Sequence, residues 1–413
     1  MSTDRSARSG LSRRALLGRG ALGAAALSVA SASGGALAWS ATAGRSEPTG
    51  AHGARTVSFH GVHQAGIETP AVPPPFAAFI GLDLRPGAGA AELRRVLRLW
   101  TDDAARLTAG EPALADPEPE LAEQPAELTV TVGLGPEVFD RIGRADARPE
   151  WLAPLPDLPI DRLDPAWGQT DLIAAVAAGD PVTLAHAVRT LSRSVRAQAT
   201  VRWVQRGFRE AHGTRPEGAT MRNLMGQRDG TVNPVPGTDD FAEVVWDDGA
   251  AQPWLAGGTA MVLRRIRIDM DTWEEADPPM RDLSMGRFQG SGAPLTGTEE
   301  FDEADFDATD RYGIPVIPPT SHIARARPRA PHERFYRRAY NYDEAPAPGR
   351  TSESGLLFVT YQRDVTRQFL PVQERLAEQD ALNIWTVPIG SAVYAVLPGI
   401  DEGGRLGDTL LPD

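Results

Sequence analysis

The sequence predicts an α+β fold made of two ferredoxin-like domains, each a mainly antiparallel sheet with helices packed on it. In the first half, apolar strand-like segments and helical segments follow one another in a β-α-β-β-α-β-like order, which is typical of this fold. The second half repeats that order. None of the strand-like segments leads into a glycine-rich mononucleotide-binding loop, so the pattern disfavours a nucleotide-binding fold.

The first half opens with an apolar strand at 77–84 and a helix at 90–107. Four apolar residues of this helix recur at the spacing that places them on one face, namely Leu93, Val96, Leu97 and Trp100. Proline-rich stretches at 112–125 and 149–167 predict loops. The other predicted elements are strands at 128–135, 171–178 and 200–208, a short helix at 136–142 and a helix at 182–198.

The second half begins near Gly226 and contains three further apolar strand-like segments. These strands are predicted at 259–270, 355–364 and 389–398. A helix is predicted from Thr272 to the glycine-rich loop that starts at Met285, and another at 368–379 before the last strand. We therefore place two domains between short flanking segments. The predicted boundaries are a linker at 44–56, domains at 57–222 and 223–402, and a tail at 403–413.

Composition excludes several classes of function. The 413 residues carry a formal net charge of −13, which argues against nucleic-acid binding because phosphate contacts need a basic face. The chain has no cysteine, and this removes disulfides, zinc–thiolate sites and covalent haem attachment through Cys-x-x-Cys-His. A hydrophobic content of 41% is ordinary for a globular protein.

Residues 1–43 read as an export signal with its cleavage region. A basic start contains the pair Arg13-Arg14, followed by an uncharged stretch from Gly20 to Ala38 that is rich in Gly, Ala and Ser. This pattern resembles a twin-arginine signal, which directs export of already folded proteins. An uncleaved membrane anchor is the alternative.

A second motif is a carboxylate flanked by glycines. Asp229 lies between Gly226 and Gly230 and ahead of the pair Asn233-Pro234. Glycine permits positive φ angles and lets the chain approach a ligand closely. Taken alone, the motif also fits a simple Asp-Gly turn between two elements.

Five motifs occur in an order that resembles the dye-decolourising peroxidase family. Gly61-Val62-His63-Gln64-Ala65-Gly66-Ile67 is similar to the opening of its mature chains, and the Asp229 loop is similar to its Gly-x-x-Asp-Gly motif. Three later segments complete the series, namely Gly292-Ala293-Pro294-Leu295, the run from Ser321 to Arg329, and the run from Phe358 to Asp364. The resemblance covers about residues 57 to 400.

The resemblance implies a haem pocket held mainly by the C-terminal domain, with one non-covalent haem b per chain. His322 would be the axial iron ligand on one face, and Asp229 and Arg337 would meet peroxide on the other. The resemblance assigns Arg337 to cofactor binding as well, together with Gly230, Thr231, Val232, Arg287, Arg327, Pro328 and Arg329. Arg287 and Arg329 are the candidates for the haem propionates.

Two assignments stay open at this stage. Either Arg337 or its neighbour Arg338 faces the iron, with Arg337 favoured. A carboxylate should hold the other nitrogen of the axial histidine, and Asp380 is the first choice with Glu374 as the fallback. Departures from the family pattern include Ala324 and Arg327, which replace an Arg and an Asn in the histidine motif.

Two other sets of charged or titratable residues receive structural interpretations. His63 is interpreted as a satisfied structural histidine rather than a ligand. The acidic run from Glu299 to Asp310 is predicted to be a solvated loop rather than a cation site.

The resemblance favours an exported haem peroxidase that uses hydrogen peroxide to oxidise bulky organic reductants such as dyes and phenols. A protein of iron uptake that releases iron from haem is the alternative, and a binding module without haem is a third. The implied partners are peroxide, the organic reductant and the twin-arginine export machinery, with no nucleic acid. Formation of a homo-oligomer is left open.

Overall fold

The computed structural model describes residues 52–216 and 218–411. The predicted signal at 1–43 and the greater part of the linker at 44–56 lie outside these residues. The described strands are β1 Phe76–Leu84, β2 Thr129–Leu134, β3 Leu172–Ala178, β4 Ala199–Phe208, β5 Met221–Arg222, β6 Arg228–Asp229, β7 Thr259–Ile268, β8 Tyr336–Arg337, β9 Tyr340–Glu344, β10 Glu353–Gln362 and β11 Thr386–Val396. The α-helices are α1 Ala90–Thr108, α2 Glu137–Arg141, α3 Pro181–Ser194, α4 Asp239–Val245, α5 Met270–Glu275, α6 Pro278–Met285, α7 His322–Ala326 and α8 Leu370–Gln379.

The large sheet is antiparallel and closes on itself. Its strand order is β7-β11-β2-β3-β1-β4-β9-β10-β8, and β7 also pairs with β10. The run β2-β3-β1-β4 comes from the first half of the chain, and β11-β7-β10-β9 from the second, each in the ferredoxin-like arrangement. Pairings of β11 with β2 and of β4 with β9 join the two halves. The predicted α+β class with mainly antiparallel sheet is confirmed, whereas the boundary at 222/223 stays a prediction.

Alternating side chains divide each central strand between two apolar cores. In β1, Ala78 and Ile80 belong to the core that α1 and α3 cover, whereas Ala77 and Phe79 point into the other. This two-residue period is the expected consequence of strand geometry. The second core is rich in aromatic residues, including Tyr336 and Tyr340, and it lies on the sheet face opposite the two helices.

The helices of the first half form where the apolar spacing predicts them. The four apolar residues of the predicted face of α1 are all buried in the first core. Helix α3 begins at Asp180, whose carboxylate accepts hydrogen bonds from the backbone N–H groups of Val182 and Thr183. It ends at Ser194, four residues before the predicted end. Residues of the predicted tail at 403–413 also reach this core, where Leu406 and Leu410 are buried.

Several elements of the second half were not predicted. The missed elements are helices α4 and α7 and strands β5, β6, β8 and β9, whereas the helix predicted from Thr272 to Met285 is present as the two helices α5 and α6. Strand β9 reads Tyr-Asn-Tyr-Asp-Glu, so its polar residues hide the strand signal, although Tyr340, Asn341 and Tyr342 are all buried. Within the part of the chain that the structure describes, no helix has the length and apolar character needed to span a membrane.

His63 lies between the two halves as a structural residue. Its Nδ1 is 2.7 Å from the carbonyl oxygen of Gly257, and its ring stacks on Trp246 with 3.8 Å between ring centroids. Both contacts bridge distant parts of the chain. They support the structural interpretation of this histidine.

Candidate functional site

The centre of the site is a histidine–carboxylate pair formed by His322 and Asp380. The Nδ1 of His322 lies 2.7 Å from Oδ2 of Asp380, which is a good hydrogen-bond distance. The aspartate is nearly buried, whereas the histidine side chain keeps 30% of its surface exposed. Glu374 is exposed on α8, so the geometry favours Asp380 over the fallback.

Local backbone contacts fix both members of this pair. His322 is the first residue of α7, and Ser321 before it is buried. Asp380 follows α8 directly, and its Oδ1 accepts a hydrogen bond from the N–H of Leu382. The two segments are joined where the N–H of Ala381 donates to the carbonyl of Thr320 at 2.8 Å. The imidazole therefore has a defined orientation without any ligand.

The electrostatics of His322 follow from this contact. Partial desolvation acts to lower its pKa, but the charge and hydrogen bond of Asp380 raise it, and the net direction is upward. Asp229 also raises the pKa of this imidazole, and Arg337 lowers it. His322, Asp229 and Arg337 are therefore close enough for their charges to interact.

Asp229 lies in a small hairpin in which β6 pairs with β5. Gly226 makes the turn at a φ of 80°, and a Cβ there would come within 2.4 Å of the Gln289 side chain. Gly230 follows Asp229 at a φ of 119°. Both conformations strain residues with a side chain, so the glycines of the motif are required by the hairpin itself.

Strand alternation decides between the two arginines. Tyr336 and Arg338 point inward, and Arg338 donates from Nη1 to the carbonyls of Ile67 and Pro70. Arg337 points the other way, and its Nη1 lies 3.6 Å from Oδ1 of Asp229. The geometry therefore favours Arg337 as the arginine of the site.

Asn233 fixes the position of Arg337, and sequence reasoning assigned it no role. Its side-chain amide donates to the Arg337 carbonyl at 3.0 Å, and its side-chain oxygen accepts from the Arg337 N–H at 2.9 Å. The carbonyl of Val232 accepts a hydrogen bond from Nη2 of the same arginine at 2.8 Å. The Asn-Pro pair after the Asp229 loop is the only sequence signal that could have pointed to this clamp.

Glu300 is a second residue that the sequence did not single out. Its carboxylate accepts hydrogen bonds from Arg228 Nη1 at 2.6 Å and from Thr231 Oγ1 at 3.0 Å. These two residues flank Asp229 and Gly230. Most of the acidic run is exposed, as predicted, but Glu300 turns inward and ties that loop to the hairpin.

The other predicted cofactor residues are distributed unevenly around the site. Arg287 is buried and donates from Nη1 to the carbonyls of Gly292 and Glu300. Its pKa is lowered, mainly by burial, with Arg337 contributing in the same direction. Arg327, Pro328 and Arg329 follow α7 and are exposed. The Arg327 guanidinium lies 4.3 Å from the centre of the Phe306 ring.

This donor set fits a haem. Asp380 engages Nδ1 of His322, and no hydrogen-bond partner of Nε2 lies within residues 52–216 and 218–411, so this nitrogen is available as an axial ligand. A Cβ built on Gly230 would meet only the Thr220 side chain at 3.8 Å, so there is open space beside Asp229. Arg329 is exposed, and its guanidinium is of the chemical type that binds a propionate.

Comparisons with known proteins cover both halves of the chain. A family model described as "Dyp-type peroxidase, N-terminal" matches residues 64–209, and one described as "Dyp-type peroxidase, C-terminal" matches residues 220–401. A dye-decolorizing peroxidase of Thermobifida fusca is 38% identical over 84% of this chain and 83% of its own length. A deferrochelatase of Escherichia coli K12 is 34% identical over 86% of each chain.

A solved structure agrees with these matches. The crystal structure of a DyP-type peroxidase from Cellulomonas bogoriensis is 53% identical to this chain, with a TM-score of 0.85. The match covers 88% of this chain and 99% of that one. The predicted family is confirmed, and with it the predicted dependence on haem: the chain belongs to the Dyp-type peroxidases, a family of haem-dependent enzymes.

Proposed function

We propose that this protein is an exported haem peroxidase that reduces hydrogen peroxide and oxidises bulky organic compounds such as dyes and phenols. The observation that carries the proposal is the 2.7 Å contact between His322 and Asp380, with the Asp229–Arg337 pair acting on the same imidazole. One non-covalent haem b per chain fits this site and the absence of cysteine. The dye-decolorizing relative supports the class of reductant.

The residues of the site would have two roles: His322 and Asp380 would hold the iron, and Asp229 and Arg337 would act on peroxide. Haem supplies the redox chemistry, in which peroxide takes two electrons from organic reductants and two protons and becomes two waters. His322 would bind the iron through Nε2, while Asp380 holds Nδ1–H and increases the basicity of the ligand. This arrangement fixes the tautomer and the ring orientation.

On the other side, Asp229 and Arg337 would receive peroxide. Asp229 accepts the first proton of peroxide as a general base. The Arg337 guanidinium stabilises the negative charge that develops as the O–O bond breaks. The separation of 3.6 Å between Nη1 and Oδ1 leaves both groups available to a bound peroxide rather than locked in a tight pair.

Aromatic residues offer a route for electrons from reductants too large to enter the site. Tyr336 directly precedes Arg337, and its ring centre lies 4.9 Å from that of Phe241. Phe241 in turn lies 6.1 Å from Trp246, which stacks on His63. The rings of Tyr336, Phe241 and Trp246 are buried, and His63, which is partly exposed, is the outermost member of the series.

Release of iron from haem is the second candidate function, supported by the deferrochelatase relative at 34% identity. The haem-loaded protein should be given hydrogen peroxide with and without a phenolic dye, and dye loss, total released iron and metal-free porphyrin should be measured. The peroxidase function predicts rapid dye loss with iron retained. Release of one iron per haem with intact porphyrin, and little dye loss, would favour the alternative.

Export by the twin-arginine route is part of the proposal and rests on Arg13-Arg14 and the uncharged stretch that follows. Changing this pair to Lys-Lys should leave the precursor in the cytoplasm. Undiminished appearance of mature protein outside the cytoplasm would contradict this route. Homo-oligomer formation is left to measurement of the molecular mass in solution.

A further inference from the structure

Two histidines and a glutamate meet on loops that carry none of the residues of the haem site. His52 lies ahead of β1, Glu127 precedes β2, and His212 follows β4. Each offers one ligand atom, and the three atoms lie within 4.8 Å of one another. The group therefore brings together three distant segments of the chain.

The contact between His212 and Glu127 is close but is not a well-directed hydrogen bond. Nε2 of His212 is 3.1 Å from Oε2 of Glu127, but the oxygen lies outside the hydrogen-bonding direction of this nitrogen. Two ligands at zinc bond lengths and a tetrahedral angle are about 3.3 Å apart. The observed separation is thus close to the one expected around a bound metal ion.

The ring nitrogen of His212 is also unsatisfied. Nε2 is inaccessible to solvent and has no hydrogen-bond partner among residues 52–216 and 218–411. A buried polar atom without a partner is costly unless a ligand supplies one. His52 stacks on the same ring with 4.7 Å between centroids, and its exposed side chain can turn to complete the set.

The backbone holds Glu127 in place at an energetic cost. Ala126 and Glu127 adopt φ angles of 47° and 57°, in the left-handed region that residues with a side chain rarely occupy. Their N–H groups donate to the carbonyls of Gly53 and Arg55, so the segment that carries His52 is tied to the strained turn. Arg55 also pairs with Oε1 of Glu127 at 3.0 Å and leaves Oε2 for another partner.

A second cluster of similar composition shows the contrast. In the group of Asp116, Glu118 and His186, Nε2 of the histidine is hydrogen-bonded to Asp116 at 2.8 Å. Arg189 pairs with Glu118, and Arg193 lies 4.0 Å from Asp116. Carboxylates of both clusters have arginine partners, so the difference lies in the histidine: Nε2 of His186 is already hydrogen-bonded, whereas Nε2 of His212 is not.

We propose that His52, Glu127 and His212 bind a divalent first-row transition metal ion, of which Zn²⁺ is the probe to use. Two imidazoles and one carboxylate suit such ions and leave further positions for water. The bound ion would fasten the segment that enters β1 to the loops beside β2 and β4. Its role is to stabilise the first half of the protein, because the three ligands come from separate segments: one ahead of β1, one ahead of β2 and one after β4.

The test uses haem-loaded protein that has been dialysed against a chelator and then titrated with Zn²⁺ in a calorimeter. Wild type should bind one ion per chain and show a higher melting temperature with zinc. His52→Ala removes an exposed ligand, and His212→Ala and Glu127→Gln remove the other two. Each should weaken binding by at least about tenfold, since loss of a supporting partner alone costs that much.

The controls are His332→Ala, which removes an exposed histidine elsewhere, and Glu118→Gln in the second cluster. Both should bind zinc like wild type. Absence of saturable binding to wild type would overturn the proposal. So would zinc binding that the His52→Ala variant retains in full, since this substitution on the surface does not threaten the fold.

Discussion

The two sides of the candidate haem site are built in different ways. On the histidine side, His322 and Asp380 meet directly at 2.7 Å, side chain to side chain. On the aspartate side, Asp229 and Arg337 are 3.6 Å apart. On that side a neighbouring residue positions the arginine, because the Asn233 side chain hydrogen-bonds to both the N–H and the carbonyl of Arg337.

This difference suits the two tasks. An axial ligand needs one orientation and a constant basicity, which a charged hydrogen bond to Nδ1 provides. Groups that receive peroxide must leave room for it and exchange protons with it, so a tight ion pair would work against them. We therefore expect substitutions on the histidine side to affect cofactor binding, and substitutions on the aspartate side to affect the rate of the peroxide reaction.

The largest effect should come from His322→Ala. Removal of the imidazole takes away the only iron ligand that we assign, so the purified variant should lose most of its haem or show an altered Soret band. Asp380→Asn keeps the shape of the partner but removes its charge. It should weaken haem retention by about 10–100-fold, as is usual for a residue that supports a metal ligand.

Glu374→Gln is the matched control for the carboxylate, since Glu374 is exposed on the helix that precedes Asp380. It should retain haem like wild type. If His322→Ala keeps a full complement of haem with an unchanged spectrum, the assignment of the axial ligand is wrong. Haem transfer to apomyoglobin measures retention in all three variants.

The next largest effect should be on the reaction with hydrogen peroxide. Asp229→Asn removes a general base and should slow the reaction by about 10²–10⁴-fold, and Arg337→Leu removes a charge-stabilising group and should cost about 10²–10³-fold. Both variants should keep their haem, because neither residue is assigned to the iron. Stopped-flow absorbance, with rates expressed per haem, measures the effect.

The relative size of the two losses is informative. If Arg337→Leu is the slower variant while Asp229→Asn keeps much of its rate, the arginine carries the reaction. Asp239→Asn changes an exposed aspartate of the same half and should react like wild type. Near-normal rates in both active-site variants would show that peroxide is activated elsewhere.

The sequence predicted the residues whose role depends on a local motif. The glycines around Asp229 follow from the φ angles of a hairpin, and the spacing of Leu93, Val96, Leu97 and Trp100 follows from the helix period. Asn233 and Glu300 could not be predicted in this way, because their partners lie 104 and about 70 positions away in the chain. Only the closed sheet and the loop over the hairpin bring these groups together.

A moderate effect is expected from Glu300→Gln. Glu300 holds the residues on either side of the Asp229–Gly230 pair, and a largely buried, charge-assisted hydrogen bond contributes about 1–3 kcal/mol. The variant should unfold at a lower urea concentration and react with peroxide several-fold more slowly, with haem retained. Glu299→Gln, its exposed neighbour, is the matched control. If the two variants have the same urea midpoint and the same rate with peroxide, Glu300 does not support the Asp229 hairpin.

The smallest effect is expected from a substitution of Glu333, which supports the segment that carries His322. Its carboxylate accepts a hydrogen bond from the Arg329 N–H at 2.9 Å and pairs with Arg375 on α8 at 2.8 Å. Desolvation acts to raise the pKa of Glu333, but these two partners lower it, and the net direction is downward. The contact thus ties the segment after α7 to the helix that leads to Asp380.

A lowered pKa in the folded state fixes the sign of the pH dependence. The contact stabilises the fold at any pH above about 4.3, the value for a glutamate in an unfolded chain, and this stabilisation is lost as the pH falls through the lower, folded value. Glu333→Gln should therefore melt below wild type at pH 7, and the difference should shrink as the solution is acidified below about pH 4. Glu378→Gln, whose carboxylate is mostly exposed, should show a smaller difference at pH 7. Melting curves of the haem-loaded proteins across this pH range measure the effect. If the difference in melting temperature between wild type and Glu333→Gln stays constant with pH, the charge of Glu333 contributes nothing to stability.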